Sequence, residues 1–300
     1  MTRLSRRSFN LFAACACFGG TLMADDPVAA QQAPPFQTRE IAPGVFLFRY
    51  QGHQSIFVVT PDGVLATDPI GQRRPQAVTT YIEEIRKVTQ APIRYLVYSH
   101  AHFDHIEGGA PFKAAGATVV AHQRARDRLA AFGNPNTPVP DEVVSDEGRV
   151  IEMGGTRIEL LYLGRNHSDN SLVIRLPAQR LIFAVDWMPV QAVLFRNLPD
   201  SYLPEWQQGL DRALALEWDV LVPGHPGPGG RLGTKQDVQN LKQYFADLEA
   251  AAKEIFAQGR CGNEQALRDT RLARYADWGG YEQFLPMNLD RFCGHLNTAS

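Results

Sequence analysis

The chain has 300 residues, of which 44% are hydrophobic and 21% are charged. This is an ordinary globular composition, with enough length to bury a large core. The formal net charge is -2 and the body of the chain has no basic run, so the composition argues against a nucleic-acid or anionic-membrane partner.

The N-terminus has the layout of an export signal. Residues 1–24 have a basic start, a modestly apolar middle and small residues at the exit, and the stretch SRRSFNL at positions 5–11 resembles a twin-arginine motif. An amphipathic or disordered tail is one alternative, and a lipoprotein anchored at Cys15 is another. No later apolar run reaches the length of a membrane span. We therefore predict a periplasmic protein in which residues 1–33 are signal and Pro/Gln/Ala-rich linker, and residues 34–300 form one domain with a C-terminal helical extension.

The cysteines agree with an oxidising compartment. Cys15 and Cys17 lie in the signal, so the mature chain keeps Cys261 and Cys293. We predict a disulfide between these two that holds the C-terminal segment; two free buried thiols are the alternative.

In the first half of the chain, short strands alternate with helices. Runs of β-branched and aromatic residues predict strands at 45–50, 55–60, 63–68, 93–99 and 117–122. Helical spacing in residues 74–90 predicts a helix whose apolar stripe comprises Val78, Tyr81, Ile82, Ile85 and Val88. A second helix is predicted at 124–132.

The second half repeats this alternation. Strands are predicted at 156–164, 171–176, 180–186 and 219–225, and a helix at 204–216. A long helix is predicted from Thr234 to Gly259, with a capping box formed by Thr234 and Asp237. Its predicted inward residues are Val238, Leu241, Phe245, Leu248 and Ile255. The tail after it is aromatic and poorly periodic, and we expect it to pack over the body. Sheets with helices outside indicate a layered α/β architecture.

The stretch HAHFDH directly follows the predicted strand 93–99 and holds three of the eight histidines. On an extended segment, residues two apart point the same way, so His100, His102 and Asp104 can converge while His105 approaches from the other side. Imidazole and carboxylate ligands together suit zinc, and also iron or manganese.

Three further candidate ligands follow strands of the second half. His167 lies between two strands, Asp186 ends an apolar strand, and His225 ends another. Each alone is better explained as a structural residue than as a ligand. Together they occupy the same kind of place as the first cluster.

The HAHFDH motif, with His167, Asp186, His225 and the surrounding strand–helix alternation, resembles the metallo-β-lactamase superfamily across nearly the whole mature chain. The resemblance implies an αββα sandwich of four layers with a two-metal site at one edge of the sheets. It implies that His100, His102 and His167 hold one metal. It also implies that Asp104, His105 and His225 hold the other, and that Asp186 bridges the two.

The resemblance further implies a supporting role for Asp68, which matches an aspartate that braces the histidine loop. Two zinc ions are the expected cofactor. A water between two divalent cations loses a proton near neutral pH and becomes a nucleophile beside a polarised carbonyl. We expect Asp104 to orient this nucleophile and to relay a proton. His53, His122 and His295 match no family position and are interpreted as surface or packing residues.

The residues around the expected site indicate a substrate class only broadly. The best-known zinc β-lactamases carry a cysteine where this chain has Asp186, whereas glyoxalase II, lactonases and many generalist hydrolases carry the aspartate. No lysine follows His225 closely enough to bind a β-lactam carboxylate; the nearest, Lys235, belongs to a predicted helix start. A pocket wall is predicted from the segment after Asp186, with simple core packing as the alternative: Trp187, Phe195, Arg196 and Tyr202.

The sequence thus predicts a periplasmic dinuclear zinc hydrolase acting on a small-molecule ester, lactone, thioester or amide. One alternative is an iron-dependent oxidoreductase, because persulfide dioxygenases have a similar histidine motif with a single iron. The other is an accessory protein of a periplasmic quinoprotein or sulfur-oxidation system with a degenerate site, although no expected ligand is missing.

Overall fold

Two β-sheets form the centre of the protein. The structure is a computed structural model and describes residues 35–298. Within that range, the strands in chain order are Phe36–Ala42 (β1), Val45–Tyr50 (β2), His53–Thr60 (β3), Gly63–Thr67 (β4), Ile93–Val97 (β5), Thr118–His122 (β6), Glu142–Val144 (β7), Arg149–Met153 (β8), Thr156–Tyr162 (β9), Leu172–Leu176 (β10), Leu181–Ala184 (β11) and Val220–Pro223 (β12). The predicted export signal and linker lie outside the described residues.

Helices cover the outer faces of both sheets. In chain order they are Pro75–Val88 (α1), Phe103–Ile106 (α2), Ala110–Ala114 (α3), Gln123–Phe132 (α4), Leu203–Ala215 (α5), Lys235–Ala257 (α6), Glu264–Asp269 (α7) and Tyr281–Thr298 (α8). Short 3-10 turns occur at Pro228–Gly230 and Ala273–Tyr275. No helix in residues 35–298 is long and apolar enough to cross a membrane.

The first sheet has seven strands in sequence order, β1 to β7. Strands β1 to β4 are antiparallel neighbours, and β4 to β7 are parallel. The second sheet has five strands in the order β12-β11-β10-β9-β8, with a parallel pair between β11 and β12. Parallel neighbours end at the same edge, so the loops after β4 and β5 emerge together, as do those after β11 and β12.

Three apolar layers hold the two sheets and the helices together. Buried residues of both sheets interdigitate in the central layer, for example Leu65 with Ile174. One outer layer packs α1 and α4 on the seven-stranded sheet, and there Tyr81 stacks on Phe48 at 4.4 Å. The other outer layer packs α5, α6 and α8 on the five-stranded sheet. The arrangement is the αββα sandwich that the sequence predicts.

The long helix α6 agrees closely with its prediction. Its capping box forms, since the backbone N–H of Thr234 donates to Asp237 Oδ2 at 2.9 Å. All five predicted inward residues are buried. In α1, Val78, Tyr81 and Ile85 of the predicted stripe are buried and Ile82 is half-buried. Val88 is 40% exposed, because the helix ends there.

The C-terminal tail is more regular than its sequence suggests. Its second half forms α8, which continues through Pro286 and packs on α6. The predicted disulfide is confirmed, because Cys261 and Cys293 are bonded and join the chain after α6 to α8. Strands β1, β7 and β8 were not predicted, because they are short or polar enough to show little alternation.

Candidate metal centre

The predicted ligands come from four loops at one edge of the sandwich. HAHFDH leaves the end of β5 and continues into the single-turn helix α2. His167 lies between β9 and β10, Asp186 follows β11, and His225 follows β12. The backbone N–H of Leu172 donates to Ser99 O at 2.7 Å, which ties the two sheets together at this edge.

The first group of donors contains His100, His102, His167 and Asp186, with donor atoms all within 4.8 Å of one another. His102 Nδ1 lies 3.0 Å from His167 Nε2. Asp186 Oδ2 lies 3.7 Å from Nε2 of both His100 and His167. These are the residues that the resemblance assigns to one metal and its bridge.

The second group contains Asp104, His105 and His225, together with His53, again within 4.8 Å. Asp104 Oδ2 lies 3.4 Å from His105 Nε2 and 4.0 Å from His225 Nε2. Asp186 faces this group too, because its Oδ2 lies 3.1 Å from His105 Nε2 and its Oδ1 lies 3.4 Å from His225 Nε2. Asp186 therefore lies between the two groups.

The donors at this edge fit a metal. Several of their polar atoms are buried without a hydrogen-bond partner in residues 35–298, namely His100 Nε2, His105 Nδ1 and Asp186 Oδ1. Buried polar atoms are rarely left unpaired, because each unpaired atom costs about 1–3 kcal/mol. Imidazole nitrogens and carboxylate oxygens converging in this way are the ligands of zinc and of other first-row transition metals.

Outer hydrogen bonds orient three of the imidazoles. Ser99 Oγ lies 3.0 Å from His100 Nδ1, which turns His100 Nε2 inward. His102 donates from Nε2 to Asp200 Oδ2 at 2.8 Å, which leaves His102 Nδ1 facing the site. His225 donates from Nδ1 to Gly52 O at 2.7 Å. Partners of this kind fix the tautomer and the ring orientation of metal-binding histidines.

Asp68 is buried beneath the histidine loop. Its Oδ1 accepts from the backbone N–H of Ser99 at 2.8 Å, and its Oδ2 lies 4.0 Å from His105 Nδ1. Burial raises the pKa of Asp68 to about 6. Asn170 Oδ1 accepts from the backbone N–H of Ala101 at 2.8 Å, so the loop is held from both sheets.

Burial favours the neutral form of two of the three imidazoles in the first group. Burial lowers the pKa of His167 to about 4 and that of His100 well below its usual value. Burial also disfavours the charged form of His105, but the carboxylates of Asp186, Asp104 and Asp68 together outweigh it and raise the pKa of His105 to about 9. Without metal, His105 and Asp186 thus form an ion pair, and a bound cation would displace that proton.

More than half of the chain matches a known protein family. Residues 52–225 match the model of the metallo-beta-lactamase superfamily. This chain belongs to that superfamily. The matched range contains all seven predicted metal ligands.

Two relatives within the superfamily are the subunits of a 2,4-dinitroanisole O-demethylase from Nocardioides sp. (strain JS1661). The alpha subunit is 24% identical over 70% of this chain, and the beta subunit is 26% identical over 72%. A metallo-beta-lactamase type 2 from Bacillus sp. (strain 170) is 27% identical over 51% of the chain. The matched region spans 63%, 65% and 58% of the lengths of these relatives.

Solved structures share the fold. A metallo-beta-lactamase from Pontibacter korlensis aligns with a TM-score of 0.57 at 22% identity, covering 69% of this chain and 99% of that one. Another from Hirschia baltica aligns with a TM-score of 0.60 at 19% identity, covering 70% of this chain and 98% of that one. The central sandwich is therefore common to these superfamily members.

The predicted pocket residues have different environments in this superfamily member. Trp187 is fully buried in the core beneath α5, so it packs there and does not line a pocket. Phe195 is 57% exposed and contacts Phe284, with Arg196 over its ring. Tyr202 carries Arg165 on its ring face at 3.7 Å and precedes α5.

Two residues beside the donors were missed or misread from the sequence. His53 was interpreted as a surface or packing residue, but it belongs to the second donor group. Asp200 was not singled out, although it binds His102. Neither lies in a motif, since their partners are 51 and 98 residues away in the chain. By contrast, His122 is buried away from the donors and contacts Asp146 at 3.1 Å, as expected of a packing residue.

Proposed function

We propose that this superfamily member is an exported dinuclear zinc hydrolase that cleaves an ester, lactone, thioester or amide bond in a small molecule. The observation that carries the proposal is the pair of donor groups with Asp186 between them. A carboxylate that faces two clusters of imidazoles is suited to bridging two cations. Superfamily membership supports hydrolysis as the reaction class.

The side chains at this edge have two proposed roles, to hold the metals and to orient the attacking water. His100, His102 and His167 would hold one metal, and Asp104, His105 and His225 the other. When bound, the two metals lower the pKa of a water between them and polarise the scissile carbonyl. Asp104 is partly exposed at the site, with its carboxylate 3.3 Å from His53 Nε2. We assign to Asp104 the orientation of the attacking water and the transfer of its proton.

The substrate is proposed by class. A β-lactam is not favoured, because Asp186 stands where the best-known zinc β-lactamases have cysteine. Lys235 is also occupied, since its Nζ donates to the backbone carbonyls of Leu214 and Leu216 at 2.9 and 2.8 Å. Because two relatives are subunits of a 2,4-dinitroanisole O-demethylase, a nitro-substituted aryl methyl ether should also be assayed as a substrate.

Export to the periplasm is part of the proposal. It is supported by the SRRSFNL stretch near the N-terminus and by the disulfide between Cys261 and Cys293, since disulfides persist in oxidising compartments.

The test is metal content per chain, measured on the purified full chain together with turnover on the panel of esters, lactones, thioesters, β-lactams and the aryl ether. Two zinc ions per chain with hydrolysis of a carbonyl substrate is the expected result. A single iron per chain, with oxygen uptake on a persulfide, would replace the hydrolase with the oxidoreductase.

A further inference from the structure

His53 belongs to the second donor group but to no sequence motif that predicts a metal ligand. It is the first residue of β3, directly after the turn that joins β2 to β3. Its side chain is only 14% exposed. This low exposure is unusual for a residue at the tip of a hairpin, and the preceding turn residues Gln51 and Gly52 are exposed to solvent.

The hairpin is fastened to the loop that carries His225. The backbone N–H of Gln54 donates to Gly224 O at 2.7 Å, and its side-chain amide donates to Pro223 O at 3.0 Å. His225 in turn donates from Nδ1 to Gly52 O at 2.7 Å. These three bonds set His53 beside His225, with ring centroids 4.4 Å apart in an edge-to-face arrangement.

The spacing of His53 from its neighbours is that of one metal ligand from another. Ligands about 2.0–2.1 Å from a tetrahedral zinc lie roughly 3.3–3.4 Å apart. His53 Nε2 lies 3.3 Å from Asp104 Oδ2, and His105 Nε2 lies 3.4 Å from the same oxygen. The imidazole of His53 is therefore as close to the Asp104 carboxylate as that of His105, which is an assigned ligand.

We propose that His53 is a further ligand of the second metal, completing a set of three histidines and one aspartate with Asp104, His105 and His225. The inference rests on the proposed two-metal centre and adds a ligand that the superfamily resemblance did not assign. If Asp186 is left out of the count, the second position has four protein donors, whereas the first has only three histidines.

The test compares His53→Gln with His122→Gln. Both changes replace a largely buried histidine that contacts an aspartate, but His122 belongs to neither donor group. Glutamine at position 53 keeps a side-chain N–H for Asp104 while removing the imidazole ligand. Each full-length variant is stripped with a chelator and titrated with Zn²⁺ against a chromophoric competitor, and with Co²⁺ while its visible absorption is recorded.

We expect His53→Gln to weaken one of two zinc-binding events at least about tenfold and to alter the cobalt spectrum of that event only. His122→Gln should match the wild type. In an Asp186→Ala background, zinc should bind at the second position at least about tenfold more tightly when His53 is present than when it is replaced by glutamine.

The metal content of the wild type distinguishes an error in the role of His53 from an error in the proposed two-metal centre. If the wild type binds two metals and His53→Gln binds both equally well with an unchanged cobalt spectrum, His53 serves only as a hydrogen-bond partner of Asp104 and the inference is overturned. If the wild type itself binds fewer than two metals, the dinuclear centre is wrong and this assignment falls with it.

Discussion

At the scale of single residues, Asp186 is constrained both by its own backbone and by its neighbours. Its φ is 64°, a left-handed conformation that aspartate tolerates better than most residues. The neighbouring loop leaves no spare room, because a Cβ at Gly224 would lie 2.8 Å from Asp186 Oδ1 and 2.9 Å from His105 Cε1. The Asp186 carboxylate is thus held between the two donor groups by the backbone on both sides.

Replacing Asp186 with alanine should remove the link between the two positions. We expect Asp186→Ala to lower the metal content below two per chain and to abolish turnover, because the bridging carboxylate is lost. The far-ultraviolet circular dichroism should stay that of the wild type. Metal analysis and activity on the same preparation check this, and full activity in the variant would exclude the bridging role.

Asp200 acts through His102. Its carboxylate accepts from His102 Nε2, and this contact raises the pKa of His102 although burial alone would lower it. We expect Asp200→Ala to weaken zinc binding at the first position about 10- to 100-fold, as removal of an outer partner usually does.

The matched control for Asp200 is Asp219→Ala, which removes an exposed aspartate that pairs with Arg180 and belongs to neither donor group. Asp219 precedes β12, at the opposite end of that strand from His225. Zinc affinity in this control should not change. Equal affinities in the two variants would show that Asp200 does not orient His102.

At the scale of elements, α6 and α8 support the five-stranded sheet from outside. The start of α6 is secured by Asp237, which accepts from the backbone N–H of Thr234 and pairs with Arg231 at 2.7 Å. The helix α8 also holds the segment after Asp186, because Asn288 Nδ2 donates to the carbonyls of Leu194 and Arg196 at 3.0 and 2.7 Å. The outer helices therefore affect the loops beside the metal centre.

Loss of the capping box should cost stability without affecting the metals. We expect Asp237→Ala to lower the free energy of unfolding by about 1 kcal/mol, because a backbone N–H at the helix start loses its partner. Urea denaturation measures the change. Gln239→Ala, on the exposed face of the same helix, is the control and should stay within about 0.5 kcal/mol of the wild type.

The disulfide links the end of α6 to α8 across 32 residues of chain. Closing a loop of that length restricts the unfolded chain and stabilises the fold by about 3–4 kcal/mol in the chain-entropy model. We expect the Cys261→Ser, Cys293→Ser double variant to melt at a lower temperature than the oxidised wild type by calorimetry. An unchanged melting temperature would mean that the hydrophobic contacts of α8 suffice without the bond.

At the scale of the whole molecule, the candidate metal centre lies where the two sheets meet at one edge. Loops of the seven-stranded sheet supply His100, His102, Asp104 and His105, and loops of the five-stranded sheet supply the other three assigned ligands. Bound metal would therefore stabilise the sandwich as a unit, since a ligand that binds only the folded state adds stability.

Metal removal is expected to lower the melting temperature of the whole protein. At a free metal concentration 1,000 times the dissociation constant, binding adds about 4 kcal/mol, and a domain of this size gains about 2–4 °C per kcal/mol. Differential scanning fluorimetry with and without chelator should thus show a drop on the order of 10 °C. Asp186→Ala should show a smaller drop, and no drop in the wild type would indicate that metal does not bridge the sheets.

The sequence alone was sufficient where a signal is local. Several signals are visible within a few residues or by counting. They are the HAHFDH spacing, the strand ends before Asp186 and His225, the capping box of Thr234 and Asp237, and the two cysteines after residue 17, Cys261 and Cys293. From them followed the αββα sandwich, the superfamily and the disulfide. Hydrophobic periodicity also predicted the buried faces of α1 and α6, because both helices lie on a sheet along most of their length.

Only the tertiary structure decided which distant side chains meet. His53 and Asp200 reach the metal centre because a hairpin and a loop fold back onto it, and no local pattern encodes such a contact. Trp187 stands beside Asp186 in sequence, yet its side chain is fully buried in the core, where it packs beneath α5. Burial, exposure and contact between remote segments depend on how the layers pack, and that is a property of the whole chain.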